Sequence, residues 1–233
     1  MLKYTWVNNM KIYVIRHGET NANKEGVLQG ASNWPLNDFG IKLAEITGNN
    51  MRNIKFDACF SSPLDRAKQT AQIILKNSGN EDVEIQYDKR IQELNMGIYE
   101  GKKIEPGQKE VSVIKLLLFK YNAFLCGRFK GGETARELCK RTQEFLKELS
   151  TKNYETVLVS THGCAMRAML NMLYDNKFNF WQGMVPFNCA VNVIEVKDGE
   201  MKLVEKDIVF YDDKYKVDRY NFNRKGELKD KQS

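Results

Sequence analysis

The residues best suited to chemistry in this chain of 233 residues are its two histidines, and each is followed by a glycine. His17 lies in the run Arg-His-Gly-Glu-Thr at residues 16–20, and His162 lies in Thr-His-Gly at residues 161–163. An imidazole offers a nucleophilic nitrogen at neutral pH without help from a metal or a cofactor. Arg16 adds a permanently charged planar guanidinium, which suits the oxygens of a phosphoryl group. These residue types predict a metal-free anion site that contains a histidine nucleophile.

A second arginine, Arg66, stands in a further run, Ser-Ser-Pro-Leu-Asp-Arg-Ala-Lys-Gln-Thr at residues 61–70. Helices that begin near Ser62 and Gly163 would add unpaired N–H donors and a positive dipole end. All three runs follow predicted buried strands, and the carboxyl ends of parallel strands meet at one edge of a sheet. We therefore expect both histidines and both arginines to converge on one site.

The elements that must position these runs alternate between apolar strands and amphipathic helices. Branched apolar residues predict strands at residues 11–15, 56–60, 83–87, 156–160, 190–196 and 201–210. Helical periodicity predicts helices at residues 38–51, 62–76 and 133–149, and another after residue 163. This alternation indicates an α/β fold, a three-layer sandwich whose mostly parallel central sheet has helices on both faces.

Polar residues at the ends of these elements predict where the chain turns. Asn37 or Asp38 is expected to cap the first helix. Ser62 is predicted to cap the second helix, with Pro63 as its first residue. The Lys-Asp-Gly sequence at residues 197–199 predicts a hairpin turn between the last two strands.

Residues 102–130 are predicted to form a helical insertion, and they are both basic and apolar. Seven Lys or Arg residues against two Glu residues there contribute +5 to the net charge of +6. Within the insertion, residues 111–125 favour a helix. One interpretation is an extra core helix, and the other is a lid over the active site whose lysines attract anionic substrates. The sequence leaves both open.

The composition, 42% hydrophobic and 28% charged, is typical of a globular protein and excludes general disorder. We expect one domain over residues 1–233, with an extension at 1–9 and a basic tail at 214–233.

The composition also bears on partners and location. No apolar run reaches the roughly eighteen residues of a membrane span, so a membrane partner is not expected. The sequence has no basic stripe that is interleaved with aromatic residues, so a nucleic-acid partner is not expected either. Five scattered cysteines without a Cys-x-x-Cys pair argue against a zinc site or a disulfide framework and favour the cytoplasm.

Four motifs together resemble the histidine phosphatase superfamily, the phosphoglycerate mutase-like fold, and they occur in the family's order. The motifs are the run at residues 16–20, the spacing from Thr20 to Asn23, the run at residues 61–70 and the second His-Gly at residues 162–163. The resemblance extends from about residue 10 to about residue 196. It implies phosphoryl transfer from a small-molecule phosphate ester through a phosphohistidine, with no cofactor.

The resemblance also implies roles for the four central residues. His17 would be the nucleophile that becomes phosphohistidine. Arg16 and Arg66 would bind the phosphoryl oxygens. His162 would lie opposite His17 and stabilise charge on the transferred group.

Glu93 matches the acid of the family, because residues 93–101 resemble its Glu-x-x-x-Gly-x-x-Glu-Gly stretch. A leaving alkoxide needs a proton, and a carboxyl group beside a phosphate has its pKa raised by the like charge. Only its spacing to Gly97 selects Glu93 over the neighbouring acids Glu81, Glu84 and Glu100.

Three of four further residues near the motifs have two interpretations each. Asn23 could contact the substrate or only shape the turn. Gly163 begins a predicted helix, whose first backbone N–H groups are expected to bind the phosphate. Cys164 could be an oxidisable thiol or a small residue that packs at the helix start. Glu133 could match the family's Gly-Glu-Thr/Ser element or cap a helix.

Departures from the mutase pattern favour a phosphatase. Cofactor-dependent mutases of the family carry Trp where this chain has Ala22, and Arg-His-Tyr-Gly where it has residues 94–97, Leu-Asn-Met-Gly. Their Arg-Arg-Ser-Tyr stretch is also missing, and residues 102–130 stand in its place. We therefore expect a metal-independent phosphomonoester hydrolase. A phosphoglycerate mutase-like isomerase and a non-catalytic phospho-ligand binder are the alternatives, and the sequence leaves the substrate and the oligomeric state open.

Overall fold

The computed structural model describes residues 9–103, 113–183 and 185–217. Its centre is a six-stranded sheet in the order β3-β2-β4-β1-β5-β6. The strands are β1 (Asn9–Arg16), β2 (Ala58–Ser61), β3 (Ile85–Tyr87), β4 (Thr156–Thr161), β5 (Val191–Lys197) and β6 (Glu200–Ile208). Strands β1 to β4 pair in parallel, and β5 runs antiparallel to both β1 and β6. The predicted α/β fold with a mostly parallel sheet is confirmed.

Helices cover both faces of this sheet. They are α1 (Asn21–Glu25), α2 (Asp38–Asn50), α3 (Asp65–Ser78), α4 (Val113–Tyr121), α5 (Ala135–Leu149) and α6 (Gly163–Leu170), with 3₁₀ turns at Lys89–Ile91, Gly97–Tyr99, Asn171–Leu173 and Asp213–Tyr215. Successive side chains of a strand point to opposite faces. Accordingly, Ile12 and Val14 of β1 pack in one buried cluster with Phe145 of α5, whereas Ile15 packs in another with Leu43 of α2. Burial on both faces explains why these strands read as continuous apolar runs.

The parallel register aligns the strand ends that carry the polar motifs. Arg16 of β1 pairs with Thr161 of β4, and Ser61 of β2 pairs with Ser160. The chain therefore leaves all three strands at the same edge of the sheet, as predicted.

Most predicted boundaries agree with the structure to within a few residues, but α3 starts later than expected. Its first residue is Asp65 and its cap is Leu64, so the prediction of Ser62 as cap and Pro63 as first helical residue is wrong. The hydroxyl of Ser62 is instead turned toward His162, with Oγ 2.7 Å from Nε2. The short helix α1 was not predicted, because five residues show no helical periodicity.

Other local predictions are confirmed. Asn37 caps α2, since its side chain accepts from Gly40 N at 2.8 Å. Asp198 and Gly199 form the hairpin turn with positive φ angles of 52° and 82°. Within the described ranges, no helix has both the length and the apolar character needed to cross a bilayer.

The insertion contains α4, one side of which is buried and the other exposed. Phe119 is 6% exposed and packs against Phe129, whereas Ile114 on the other side is 72% exposed. The Lys115 ammonium donates to Cys126 O at 2.6 Å and to Arg128 O at 2.7 Å, so it holds the following loop. A lid over the active site stays a prediction. Residues 104–112, and most of the predicted N-terminal extension and basic tail, lie outside the described ranges.

Candidate active site

His17 follows β1 directly, and hydrogen bonds hold its backbone. Its N–H donates to Thr161 O at 2.9 Å, and its carbonyl accepts from Asn188 Nδ2 at 3.0 Å. The ring atom Nδ1 lies 2.6 Å from Gly18 O. Because a carbonyl oxygen can only accept, Nδ1 carries the proton and Nε2 keeps its lone pair. Nε2 is therefore the ring nitrogen that can act as a nucleophile.

Gly18 brings the end of β1 into backbone contact with α2. A Cβ atom at this position would lie 2.5 Å from Gly40 O, so no larger residue fits without a shift. The Gly18 N–H donates to Thr70 Oγ1 of α3 at 3.0 Å. Thr70 thus connects the run at residues 61–70 to the run that carries His17.

His162 lies opposite His17, with 5.2 Å between the ring centroids. Arg66 Nε is 3.1 Å from His162 Nδ1 and can only donate, so Nδ1 holds the lone pair of this ring. The neutral ring then carries its proton on Nε2, which donates to Ser62 Oγ. The two histidines are therefore held in opposite tautomers.

Arg66 is fully buried and binds the loop that contains Gly30 and Ser32. Its guanidinium donates to Gly30 O and to Ser32 O, each at 2.8 Å. Glu100 holds the same loop, because its Oε1 accepts from Ala31 N at 2.9 Å. Glu100, one of the alternatives to Glu93, thus binds the backbone N–H groups of Ala31 and Met96.

Arg16 is 4% exposed and lies against the start of α6. Its Nη1 donates to Pro186 O. A Cβ atom at Gly163 would lie 3.5 Å from Arg16 Nε and 3.2 Å from Val185 Cγ1. The tighter of the two contacts is with Val185, and the guanidinium lies within ordinary contact distance of the helix start.

Burial and neighbouring cations keep both imidazoles neutral. The pKa of His17 is lowered well below its ordinary value of 6.5, by burial first and then by Arg66 and Arg16. The pKa of His162 is also lowered well below 6.5, by burial first, then by Arg66 and His17, with Arg141 and Arg16 contributing. An unprotonated ring is the form that can attack phosphorus.

Glu93 places its carboxylate at the start of α6. Its oxygens accept from Cys164 N at 3.1 Å and from Ala165 N at 3.0 Å, and one also accepts from Leu94 N at 2.8 Å. His162 occupies the N-cap position of the same helix, so Glu93 binds the first turn that follows the second histidine. Backbone N–H groups at a helix start are natural partners of an anionic side chain.

Residues 12–208 match the sequence profile of the histidine phosphatase superfamily (branch 1). The chain belongs to this superfamily. The broad-specificity phosphatase YOR283W of Saccharomyces cerevisiae is 29% identical over 208 residues, which cover 85% of each chain. A probable phosphoglycerate mutase of Salmonella choleraesuis is 29% identical over 192 residues, 82% of this chain and 87% of the relative. The solved structure of Bacillus stearothermophilus YhfR aligns with a TM-score of 0.78 at 26% identity, over 86% of this chain and 98% of that one.

Among the residues that the superfamily resemblance selects, Asn23 lies within a capping box. Its Oδ1 accepts from Thr20 N at 3.2 Å and from Thr20 Oγ1 at 3.1 Å, while Asn23 N donates to Thr20 Oγ1 at 3.0 Å. These bonds form the turn that opens α1. A substrate contact of Asn23 stays a prediction.

Several residues around this candidate site were missed or misread in the sequence. Ser62 binds the second imidazole rather than capping α3. Glu133 does not cap α5, because Thr134 does so and Glu133 pairs with Arg141. Arg141 was not selected at all, since a lone arginine on an amphipathic helix is usually a solvated surface charge.

Proposed function

We propose that this chain hydrolyses small phosphomonoesters through a phosphohistidine at His17. The ring orientation of His17 carries the proposal. With its Nδ1–H bound to Gly18 O, Nε2 presents a lone pair beside the guanidinium groups of Arg16 and Arg66. A neutral nucleophile within preorganised positive charge is suited to phosphoryl transfer.

In the first step, the Nε2 lone pair of His17 forms a bond to phosphorus as the ester P–O bond breaks. The electron pair of that bond goes to the ester oxygen, which takes a proton from the Glu93 carboxyl group and leaves as an alcohol. Glu93 gains that proton when the anionic ester binds beside it, because the like charge favours the neutral acid. Arg16 and Arg66 offset the charge on the phosphoryl oxygens. The Nε2–H of His162 exchanges Ser62 Oγ for a phosphoryl oxygen and so adds a neutral donor. The product is a phosphohistidine with Glu93 as carboxylate.

In the second step, water attacks the phosphorus atom and the P–N bond breaks. The electron pair of that bond returns to Nε2 of His17, and the Glu93 carboxylate takes a proton from the water. One water is consumed, inorganic phosphate is released, and both side chains regain their starting protonation.

Hydrolysis is favoured over a mutase reaction by the residues that follow Glu93. Leu94 and Met96 stand where the cofactor-dependent mutases carry Arg and Tyr, and they are 0% and 7% exposed in a cluster that includes Phe129. Asn95 Oδ1 accepts from Gly97 N at 2.8 Å within the same turn. None of these residues supplies a cation for a second anionic group. The yeast relative carries the name of a broad-specificity phosphatase, which agrees with this choice.

Phosphate release from 4-nitrophenyl phosphate and from a panel of metabolite phosphates tests the proposal. We expect wild-type activity to persist in EDTA, and His17→Ala to lower kcat by about 10³-fold or more, because no other nucleophile replaces Nε2. The exposed Lys177→Ala should retain wild-type rates and serves as the control. Full activity of His17→Ala would contradict the proposal.

Trapping of the intermediate separates the alternatives. Acid-labile, base-stable label from a ³²P-ester should appear in wild type and be missing in His17→Ala. Conversion of 3- to 2-phosphoglycerate that needs a bisphosphate primer, without phosphate release, would establish the mutase instead. Phosphate binding without a phosphoenzyme would indicate a binding protein.

A further inference from the structure

Arg141, on α5, makes an unusually complete set of contacts with the segment that carries Glu93. Its Nη1 donates to Arg90 O at 2.7 Å and to Gln92 O at 2.8 Å, and its Nη2 donates to Glu93 O at 2.9 Å. Three carbonyls within four residues are thus held by one planar side chain. A guanidinium binds several acceptors in fixed directions, which lysine cannot do.

Glu133 holds this guanidinium in place from the other side. Its Oε1 is 2.6 Å from Arg141 Nη2, and its Oε2 accepts from Arg141 Nε at 3.0 Å. The same Oε1 accepts from Asn95 N at 2.9 Å, and Glu133 N donates to Asn95 O at 2.9 Å. The side chains are 22% and 16% exposed, so solvent screens this two-point pair only partly. The Arg141–Glu133 pair is therefore hydrogen-bonded to the backbone on both sides of Glu93.

Glu93 is consequently fixed at two points. Its backbone carbonyl is bound by Arg141, and its carboxylate is bound by the N–H groups of Cys164 and Ala165. Its neighbour Leu94 is fully buried, which allows the segment little movement. Loss of the Arg141 contacts would release three carbonyls while the α6 contacts remain.

We infer that Arg141 is a positioning residue, which sets the Glu93 carboxyl group against the leaving oxygen of the substrate. The inference rests on the proposed function, because it needs Glu93 to be the proton donor. Arg141 touches no reacting atom in this account. Its charge also contributes, behind burial, Arg66 and His17, to the lowered pKa of His162, an effect that would alter the rates of both kinds of ester alike. A displacement of the acid by about 1 Å costs on the order of 10²-fold in rate.

Leaving-group chemistry distinguishes this role from simple stabilisation of the fold. The 4-nitrophenolate ion leaves without a proton, whereas the alkoxide of glycerol 2-phosphate needs one. A misplaced acid should therefore impair the alkyl ester selectively, and a weakened fold should impair both esters alike. The ratio of kcat/KM for the two esters reports the first phosphoryl transfer.

The experiment compares full-length wild type with Arg141→Met, Arg141→Lys and Glu93→Gln on both esters. We expect Arg141→Met to lose about 10- to 100-fold more kcat/KM on glycerol 2-phosphate than on 4-nitrophenyl phosphate. This loss is smaller than the whole contribution of a positioned general acid, which is about 10²- to 10⁴-fold. Arg141→Lys should recover part of this selectivity. The double variant Glu93→Gln/Arg141→Met should lose no more selectivity than Glu93→Gln alone, because the two residues act in one step.

Arg90→Met is the matched control, because this neighbouring arginine pairs with Asp88 and Glu148 through its side chain. Its substitution removes contacts of the same kind and should leave the ester ratio unchanged. Glu133→Gln weakens the ion pair that holds Arg141 but keeps the guanidinium. This variant is used in case Arg141→Met does not fold. It should change the ratio in the same direction by a smaller factor.

Equal losses on both esters in Arg141→Met and Glu133→Gln, or no loss in either, would overturn the inference. So would additive selectivity in the double variant. Inactive wild type, or Glu93→Gln without ester selectivity, would instead refute the proposed function or its acid, and the role of Arg141 would fall with it.

Discussion

Two imidazoles whose ring centroids lie 5.2 Å apart are kept neutral by burial first and then by nearby guanidinium groups, of which Arg66 has the largest effect on both. Arg66 donates to His162 Nδ1, so protonation of this atom would remove a hydrogen bond and place two cations in contact. His17 Nδ1 already carries a proton, and a second proton would fall on its nucleophilic Nε2. Each residue therefore resists protonation for its own structural reason.

The lowered pKa values predict that the fold loses stability in mild acid. Below the ordinary pKa of 6.5, unfolded chains bind protons that the folded chain does not, so the free energy of unfolding falls as pH falls. The slope is at most about 1.4 kcal/mol per pH unit for each histidine. Urea unfolding at pH 7 and pH 5, without phosphate, should show a shallower loss in His17→Asn/His162→Asn than in wild type. Parallel slopes for the two proteins would contradict this explanation.

At the scale of elements, the insertion leaves and rejoins the domain through closely packed glycines. Gly97 has φ of +55°, and a Cβ atom there would collide with Lys130 O. Ile98 N donates to Lys130 O at 3.0 Å, and a Cβ atom at Gly132 would collide with Asn95 O. The two ends of the insertion are thus joined next to the segment that holds Glu93.

Alanine substitutions at Gly97 and Gly79 separate the cost of a positive φ angle from the cost of a steric collision. We expect Gly97→Ala to lower the free energy of unfolding by about 2–4 kcal/mol, because it adds a collision to the left-handed conformation. Gly79→Ala is the control, since Gly79 has φ of +71° with nothing within 4 Å, and it should cost only about 1 kcal/mol. Denaturant unfolding of both variants makes the comparison, and equal losses would show that the contact at Gly97 contributes nothing.

At the scale of the whole molecule, a buried ion pair connects the site helix to the far edge of the sheet. Arg167 of α6 is 1% exposed, and its Nη2 lies 2.6 Å from Asp207 Oδ2 of β6. Asp207 Oδ1 also accepts from Asn192 Nδ2 at 3.2 Å. The helix whose start carries the site is therefore tied to both antiparallel strands.

Removal of the Asp207 charge should destabilise the whole domain. Asp207→Asn keeps the size of the side chain and suits the positive φ of 49°. It leaves Arg167 without its carboxylate, which we expect to cost about 2–3 kcal/mol, since Asp207 is 25% exposed. Asp198→Asn has a similar φ of 52° in an exposed turn and should be neutral. Thermal unfolding measures both, and an unchanged Tm of Asp207→Asn would refute the role of this pair.

Much of the fold and the central motifs could be predicted from the sequence, because the signals are local. The alternation of strands and helices follows from apolar periodicity, and the residues after β1, β2 and β4 meet because parallel strands end at one edge. Both histidines and both arginines were selected in this way. The mutase departures at residues 94–97 were also readable, since they are substitutions within one short stretch.

Only the tertiary structure decided which partner each polar group takes. Arg141 lies about 50 residues from the carbonyls that it binds, and Ser62 lies 100 residues from His162. No local pattern records such pairs, because hydrogen-bond partners are chosen when distant elements pack. The tautomers of the two imidazoles, the later start of α3 and the grip on Glu93 all follow from those long-range contacts. The sequence by itself thus determined which chemistry is present, and packing between distant elements decided how each group is held.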